Sequence, residues 1–175
     1  YCKRICVALT LLLVGLRLLY AYEPRLEAYQ LQLKIQRIED KIQYTEMPVE
    51  EMHSFMDSLG VKFSKIVVCQ GILETGWFQN SKVLEENNNW LGLKCAQHRK
   101  TYCLGTNLGH AVFESRAHCL LDYLEWQKKY IPRYETKFGP MTTDEDYYDF
   151  LLKWEYAEDK AYIRKLKKIK KQIYE

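Results

Sequence analysis

One segment of this 175-residue chain restricts the possible folds more than any other. The run from residue 65 to residue 75 is apolar on nearly every side of a helix, with Ser64 as a natural N-cap and Gly76 as a natural stop. A helix without a polar face must be surrounded by protein, so the sequence predicts a central, buried helix. Gln70 and Glu74 interrupt the pattern, and because they are four residues apart they lie on one face.

Glu74 is the first candidate for chemistry. A carboxyl group on a buried helix is costly unless it is paired or functional, and Trp77 and Phe78 follow it as apolar walls. Burial disfavours the charged form, so we expect the pKa of Glu74 to be raised. A Glu that stays protonated near neutral pH can donate its proton to a leaving alcohol oxygen, which is the general-acid role in glycoside hydrolysis. The alternative is a structural Glu paired with Lys or Arg at the helix end.

The rest of the chain predicts a mostly helical α+β domain with one small β-hairpin lobe. Apolar periodicity and capping residues place helices that open at Pro48, Ser81, Ser115, Asp144 and Asp159, and the third of these should end at Pro132. Short strands are expected at 90–94, 101–103 and 111–113, with turns near Gly105 and Gly109. No internal repeat is evident, and the length suits one domain.

The N-terminus has the composition of an export segment. Lys3 and Arg4 form a short positive region, residues 5–19 are almost wholly apolar, and Ala21 supplies a small residue after them. Arg17 is costly in a membrane-spanning helix, which argues against a full span. A buried amphipathic helix is the alternative.

We therefore divide the chain into three parts. Residues 1–22 are expected to be a signal peptide or membrane anchor, through which the protein could associate with a membrane. Residues 23–47 are polar, and we interpret them as a helical linker, and residues 48–175 form the folded domain. The protein is expected to be exported and monomeric.

Charge is distributed unevenly along the chain. The net charge is +3, yet from Lys160 to Glu175 seven basic residues stand against one acidic residue. A basic terminal helix can meet nucleic acid, anionic lipid or an anionic wall polymer, or it can be a solvated helix face. The pI of about 8.4 argues against a dedicated nucleic-acid binder, so no nucleic-acid partner is expected.

The six cysteines do not form a metal-binding pattern. Cys95 and Cys103 bracket a short polar loop and could form a disulfide in an oxidising compartment. Cys69 and Cys119 lie in apolar helical patterns and are expected to be buried thiols. We expect neither a metal nor a cofactor, since no standard zinc spacing and no glycine-rich phosphate-binding motif is present.

Three motifs resemble those of the bacterial glucosaminidase family of glycoside hydrolases, the mannosyl-glycoprotein endo-beta-N-acetylglucosaminidase-like domains. They are CQGILETGW at residues 69–77, NNWLGLK at residues 88–94 and YAEDKAYIRKL at residues 156–166. Their order and spacing match the family, and together they cover about residues 63–172.

The resemblance implies a lysozyme-like fold and cleavage of the β-1,4 bond that follows N-acetylglucosamine in peptidoglycan. By motif, Glu74 is implied as the general acid and Tyr156 as a second catalytic residue that orients substrate or water. Gln70, Trp77, Asn89, Trp90 and Tyr162 are implied as substrate-binding residues, with Asn89 in the turn that shapes the cleft. Peptidoglycan glycan strands would be the partner, and the protein would act in the periplasm, in the cell envelope or as a membrane-anchored protein facing the wall.

The sequence departs from the family pattern in the β lobe. Members often carry a second carboxylate there, whereas Cys95 to Val112 contains no Asp or Glu. A two-carboxylate inverting or retaining mechanism therefore cannot be assigned. The substrate acetamido group could act as the nucleophile, or Tyr156 could hold the water. Other readings are a non-catalytic peptidoglycan-binding domain on the same fold, a muramidase or a lytic transglycosylase.

Overall fold

The computed structural model describes residues 49–78 and 81–175, together with six helical positions between residues 25 and 33. The described residues from 49 onward belong to one compact unit. Its described elements are α1 (Val49–Ser58), α2 (Ser64–Thr75), α3 (Lys82–Asn87), β1 (Gly105–Asn107), β2 (His110–Val112), α4 (Arg116–Phe138), α5 (Asp144–Lys153) and α6 (Tyr162–Tyr174). The predicted mostly helical α+β fold with a small β-hairpin lobe is confirmed.

The predicted parts before the domain are mostly outside this description. The export segment, residues 1–22, lies outside the described residues, and in the linker, 23–47, the six described positions are helical. Their assignment therefore stays a prediction. Among the residues described, none of the helices combines the length and apolar character needed to span a membrane.

Helix α2 is the buried centre that the sequence predicts. Its residues from Ile66 to Ile72 are buried, and α1 and α6 pack against it. Burying an aliphatic side chain contributes about 1.5–3 kcal/mol, so this helix is held firmly in place. Gly76 ends it in the left-handed conformation, at φ 60°, with its N–H donating to the Ile72 carbonyl.

The N-terminus of α2 differs from the expectation. Phe63, at φ 56°, occupies the N-cap position, and Ser64 is already helical. The Ser64 hydroxyl donates to Oδ1 of Asp57 in α1 instead of capping its own helix. The Phe63 ring stacks on Tyr147 of α5 at 4.7 Å between centroids. Tertiary contacts thus replace the local cap.

The β lobe is a single hairpin of β1 and β2, paired antiparallel from Gly105–Val112 to Asn107–His110. The strands predicted at 90–94 and 101–103 do not form. Gly92 has a φ of 62°, which bends residues 90–94 out of an extended path. The segment at 90–94 is nevertheless joined to the hairpin by a backbone hydrogen bond, in which the Ala111 N–H donates to the Leu93 carbonyl at 2.8 Å.

The Asn89 side chain makes backbone hydrogen bonds of the kind that a neighbouring strand would make. Its Nδ2 donates to the carbonyls of Leu93 and Ala111, and its Oδ1 accepts from the Leu93 N–H, each at 2.9 Å. Asn89 is 1% exposed, so each of these bonds is protected from water. The side-chain amide joins the turn at residues 90–93 to strand β2.

Of the cysteines that the structure describes, two are bridged and two are buried thiols. Cys95 and Cys103 form a disulfide with their Cα atoms 5.6 Å apart, which confirms the pairing raised from the sequence. Cys69 and Cys119 are free and buried, as expected. Burial raises the pKa of each of these two thiols to about 12, so both stay protonated and unreactive near neutral pH.

The disulfide loop is anchored to α4 through Asp122. This carboxylate is fully buried and accepts hydrogen bonds from Arg99 Nη2, Thr101 Oγ1 and the Tyr102 N–H. The Arg99 side chain is 7% exposed, so the ion pair is screened from solvent. Each ion is stable there because the other is present.

Helix α4 continues through Pro132, where the sequence predicts its end. A proline inside a helix costs about 3 kcal/mol. Ile131 and Tyr134 on either side are buried, and the Tyr134 hydroxyl donates to Asp149 Oδ2 of α5 at 2.7 Å. The packing of the last two turns of α4 therefore outweighs the loss of one backbone hydrogen bond.

Helix α5 opens at Asp144, as predicted, with a capping box of Thr143 and Asp146. Helix α6 begins three residues later than predicted, at Tyr162, because Asp159 forms a turn in which its Oδ1 accepts from the Ala161 N–H. Because of this turn, α6 starts at Tyr162, whose hydroxyl group contacts Gln70 of α2.

Three of the lysines in α6 make ion pairs within the domain. Lys165 pairs with Asp159, Lys167 with Glu145 and Lys170 with Asp144. The last two partners lie in the first turn of α5, where acidic side chains also favour the helix dipole. Part of the basic character of α6 is therefore used to hold α6 against α5.

We predict that Asp122→Ala lowers the free energy of unfolding by about 3–5 kcal/mol, because it leaves Arg99 buried without its partner. Urea unfolding followed by tryptophan fluorescence measures the change. Lys165→Ala is the control, since it breaks an exposed ion pair and should cost at most about 1 kcal/mol. Equal effects of the two substitutions would contradict the anchoring role of Asp122.

Candidate active site

A cavity of about 530 Å³ opens where α2 ends, between the turn at residues 91–94 and the segment that follows α5. The wall from the turn includes Leu91 and Gly92, and the opposite wall includes Trp126 of α4 and Tyr156. The three sequence motifs thus meet at this cavity, although they are far apart along the chain.

Glu74 lies in the wall of this cavity, in the last turn of α2. The residue is exposed on the cavity side, while the helix behind it is buried. Its carboxyl group lies directly against Gly92, where an added Cβ would come within 3.1 Å of Glu74 Oε2. Gly92 therefore serves two purposes, since it allows the positive φ and leaves room for the carboxyl group.

Burial raises the pKa of Glu74 above its usual value. Two smaller effects act in the opposite direction: a hydrogen bond from Tyr162 and the charge of nearby His110 both favour the carboxylate. The result is a carboxyl group that keeps its proton to higher pH than a fully solvated Glu, yet has a neighbour ready to stabilise the anion. This combination is what a general acid needs.

Tyr156 lies in the cavity wall and is tied to the turn opposite it. Its hydroxyl donates to the Leu91 carbonyl at 3.1 Å. Burial raises the pKa of this phenol well above its usual value, and the negative charge of Glu74 adds to the effect. Tyr156 therefore stays a neutral phenol near neutral pH, with its oxygen free to accept a hydrogen bond.

Tyr162 and Gln70 lie behind Glu74. Tyr162 is 6% exposed and Gln70 is fully buried, and Gln70 Nε2 donates to the Tyr162 hydroxyl oxygen at 3.3 Å. Neither residue lines the cavity. Their position suits support of Glu74 better than direct contact with a ligand.

The other three sequence candidates are also placed away from the cavity lining. Asn89 is buried in the turn, and Trp90 is 2% exposed with its ring against Phe78 at 5.5 Å between centroids. Trp77 is 45% exposed but is not part of the cavity wall. The structure thus brings Glu74 and Tyr156 to the cavity, places Gln70, Asn89, Trp90 and Tyr162 behind it, and leaves Trp77 outside.

Three aromatic residues of the cavity have no role in the sequence analysis. Trp126 and Tyr130 are one turn apart on α4, and Trp154 follows α5. The Trp126 and Tyr156 rings pack edge to face with their centroids 5.4 Å apart, and the centroids of the Tyr130 and Trp154 rings are 6.4 Å apart. The spacing of Trp126 and Tyr130 signals a shared helix face, but only the fold shows that this face borders Glu74.

The cavity also carries charges of both signs. The positive side chains are Lys94 and Arg99, and the negative ones besides Glu74 are Glu155 and Glu158. Glu155 has a φ of 47°, in the left-handed region that is rare for residues other than glycine. Within the described ranges, no set of three or more His, Cys, Asp or Glu is arranged to hold a metal ion.

We predict that Gly92→Ala destabilises the fold by about 1–3 kcal/mol, because the new Cβ meets the Glu74 carboxyl group and the positive φ becomes strained. Gly71→Ala is the matched control on α2, where the nearest atom to a new Cβ is Phe78 Cε1 at 3.5 Å. The control should be neutral or stabilising by up to about 1 kcal/mol. Chemical unfolding of both variants tests this, and a neutral Gly92→Ala would contradict the close approach.

We further predict that Glu74→Gln gains stability relative to the parent protein as the pH rises. Because the pKa of Glu74 is raised in the folded state, its contribution to stability is fully present below the unfolded pKa and is lost as the pH rises through the folded pKa. Urea unfolding at pH values from about 4 to about 8 gives the difference in free energy of unfolding between Glu74→Gln and the parent protein. Glu86→Gln, at an exposed position outside the cavity, is the control. If the stability that Glu74→Gln gains over the parent protein shrank with rising pH, this account would be refuted.

The family to which the motifs point is the one whose family model matches the chain. Among solved structures, the chain is similar to the glycoside hydrolase domain of FlgJ from Salmonella typhimurium, with a TM-score of 0.48 and 24% identity over 69% of this chain and 80% of that one. A comparison with curated proteins gave no match. The family model described as mannosyl-glycoprotein endo-beta-N-acetylglucosaminidase matches residues 49–175, which is most of the chain. The chain therefore belongs to this glucosaminidase family of glycoside hydrolases.

Proposed function

We propose that the protein is a peptidoglycan hydrolase that cleaves the β-1,4 bond following N-acetylglucosamine, with Glu74 as the general acid. The observation that carries the proposal is the position of Glu74, which lies in an open cavity with its pKa raised by burial. Membership of a glycoside hydrolase family supports the reaction class. The peptidoglycan substrate and the choice of bond follow from the motif resemblance.

The aromatic side of the cavity suits a sugar chain. Trp126, Tyr130 and Trp154 are each only partly buried, and they border the same space as Glu74. Sugar rings present flat apolar faces that pack on aromatic rings, while their hydroxyl groups remain available to polar neighbours. A glycan strand lying along these three rings would pass the Glu74 carboxyl group.

Proton transfer would leave a carboxylate on Glu74. As the glycosidic bond breaks, the protonated carboxyl group donates its proton to the leaving oxygen. The carboxylate then accepts the hydrogen bond from Tyr162 and interacts favourably with His110 if that ring is protonated. The same groups that oppose the raised pKa in the resting protein thus lower the cost of proton transfer.

Tyr156 acts as an orienting group in this proposal. Because its hydrogen is donated to the Leu91 carbonyl, its oxygen can accept a hydrogen bond from water or from a substrate hydroxyl group. Its raised pKa makes it unsuitable as a base near neutral pH. Tyr156 would therefore position a reacting group without taking its proton.

The reaction also needs a nucleophile or a base that activates water, and the β lobe from Cys95 to Val112 has no carboxylate for that role. Glu155 and Glu158 are the carboxylates of the opposite cavity wall, and either one could activate water if the reaction inverts configuration. If the substrate acetamido group attacks instead, neither carboxylate is needed. Glu155→Gln and Glu158→Gln distinguish the two routes, because water activation requires one of the variants to lose activity.

The proposed setting is outside the cytoplasm. The substrate lies in the cell wall, and the charged and apolar pattern of residues 1–22 is typical of an export segment. The Cys95–Cys103 disulfide is consistent with an oxidising compartment. We expect a monomer that acts on glycan strands, either released or held at the membrane by its N-terminal segment.

The test is digestion of purified peptidoglycan by the protein and by Glu74→Gln, with the fragments identified by mass spectrometry. A glucosaminidase leaves N-acetylglucosamine at the new reducing end, and Glu74→Gln should lose at least about 100-fold in rate, as expected for a general acid. Gly71→Ala is the control on the same helix. Because Gly71 does not line the cavity, this variant should retain activity.

The products separate the proposal from its alternatives. A muramidase leaves N-acetylmuramic acid at the reducing end, a lytic transglycosylase leaves an anhydro sugar, and a binding domain sediments with the wall but releases nothing. Any of these three outcomes overturns the proposed bond specificity. Full activity of Glu74→Gln would overturn the assignment of the acid.

A further inference from the structure

A line of buried hydrogen bonds runs through the domain and ends at Tyr162, the neighbour of Glu74. It begins at the backbone of Lys62, whose N–H donates to Gln127 Oε1 at 2.9 Å and whose carbonyl accepts from Gln127 Nε2 at 2.8 Å. Gln127 Nε2 also donates to the Tyr147 hydroxyl oxygen at 2.8 Å. Tyr147 and Tyr123 share a hydrogen bond of 2.5 Å between their hydroxyl groups.

The line continues from α4 to α2 and α6. The Tyr123 hydroxyl donates to Gln70 Oε1 at 2.7 Å, and Gln70 Nε2 donates to the Tyr162 oxygen at 3.3 Å. Glu74 is the neighbour of Tyr162 beyond this point, and interaction with the Tyr162 hydroxyl lowers the pKa of the Glu74 carboxyl group. The side chains between the two ends are buried, so water does not compete for these bonds.

The direction of each hydrogen bond follows from the chemistry of the groups. Tyr123 has one hydrogen, and Gln70 Oε1 can only accept, so the Tyr123 hydrogen is committed to Gln70. Tyr147 must then be the donor in its bond with Tyr123. Since Gln70 Nε2 can only donate, the Tyr162 oxygen accepts from it, and the Tyr162 hydrogen is left for Glu74.

Apart from the Gln127 Nε2 bond that returns to the Lys62 carbonyl, the donors therefore point the same way, from Lys62 towards Tyr162. Hydrogen bonds in a row polarise one another, and each hydroxyl that accepts a bond becomes a stronger donor. The effect is larger in a buried environment of low dielectric constant. A carboxylate at the receiving end gains more from such a row than a protonated carboxyl group does.

We propose that Gln70, Tyr123, Tyr147 and Gln127 are positioning residues that fix the Tyr162 hydrogen on Glu74 and so stabilise the ionised form of the general acid. Gln127 and Tyr147 lie on the far side of the core and do not line the cavity, so they act through Tyr162. The catalytic consequence rests on the proposed function, whereas the effect on the ionisation of Glu74 does not.

Other charged and titratable groups also face Glu74. Tyr162 comes from α6 and His110 from β2, and the cavity walls add Lys94 and Arg99 on one side and Tyr130, Glu155, Tyr156 and Glu158 on the other. The proposed line is distinct from these groups because its distant members carry no charge and have no contact with the cavity.

The experiment measures the pKa of Glu74 by NMR in the full-length protein labelled with ¹³C at the glutamate carboxyl groups. Glu74→Gln identifies the Glu74 signal. The pKa should rise in Tyr162→Phe, rise less in Gln70→Met and rise least in Tyr147→Phe, because cooperative strengthening of about 10–30% per bond is attenuated at each bond of the line. Tyr147→Phe keeps the ring that stacks on Phe63, and Gln127 Nε2 keeps its bond to the Lys62 carbonyl.

Tyr134→Phe is the matched control. It removes the hydroxyl of another buried tyrosine, one that donates to Asp149 and has no part in the line. It should destabilise the protein without moving the pKa of Glu74. If Gln70→Met does not fold, Tyr147→Phe against Tyr134→Phe carries the comparison alone.

The readout separates this inference from the proposed function. In an active protein, the alkaline limb of kcat/KM should move to higher pH in Gln70→Met and Tyr147→Phe, in step with the NMR values. A graded rise in the pKa of Glu74 across these variants, in a protein that releases no sugar, would support the proposed row of hydrogen bonds. The same result would refute the glucosaminidase assignment. An unchanged or lowered pKa in both Gln70→Met and Tyr147→Phe would overturn the inference even in an active enzyme.

Discussion

The enclosure of helix α2 is the constraint on which the rest of the site depends. Its residues from Ile66 to Ile72 are buried, and α1 and α6 pack against it, so the helix cannot shift without exposing apolar surface. Glu74 occupies the last turn of this fixed element, and the chain turns away at Gly76. The carboxyl group is therefore held at the cavity by a rigid helix, which restricts its position more than a loop would.

Side chains complete hydrogen bonding where regular secondary structure stops. Asn89 supplies three hydrogen bonds to the turn beside Glu74, and Asp122 supplies three acceptor contacts to the disulfide loop. Both residues are almost completely buried. Because an unpaired buried polar group costs about 1–3 kcal/mol, such sites hold the irregular segments in one arrangement. The walls of the cavity are accordingly irregular in backbone but well defined in position.

The cavity contains several locally unfavourable features. Glu74 is a partly desolvated carboxyl group, and Glu155 is in a left-handed conformation. Each costs stability where it occurs, and the surrounding core compensates for it. Features of this kind are concentrated at functional sites, because a fully solvated and paired group has little tendency to react. Their presence around one cavity supports the proposal that this cavity is the active site.

Local sequence patterns were sufficient to predict the central helix, its ends near Ser64 and Gly76, and the position of Gln70 and Glu74 as polar residues on it. Those features depend on apolar periodicity, on capping and on the cost of a buried charge, all of which are visible in adjacent residues. The wrong predictions concern strands at 90–94 and 101–103 and the end of α4 at Pro132, where contacts from distant parts of the chain outweigh local preference.

The set of side chains that shares the cavity with Glu74 emerges only when the chain is folded. Trp126 lies on α4 and Trp154 follows α5, and Gln70 meets Tyr123 across the core. Trp90 belongs to a family-like motif but is buried behind the turn. Local pattern fixes which face of a helix is apolar, but the packing of helices against one another determines what each face touches, because those contacts join residues far apart in the chain.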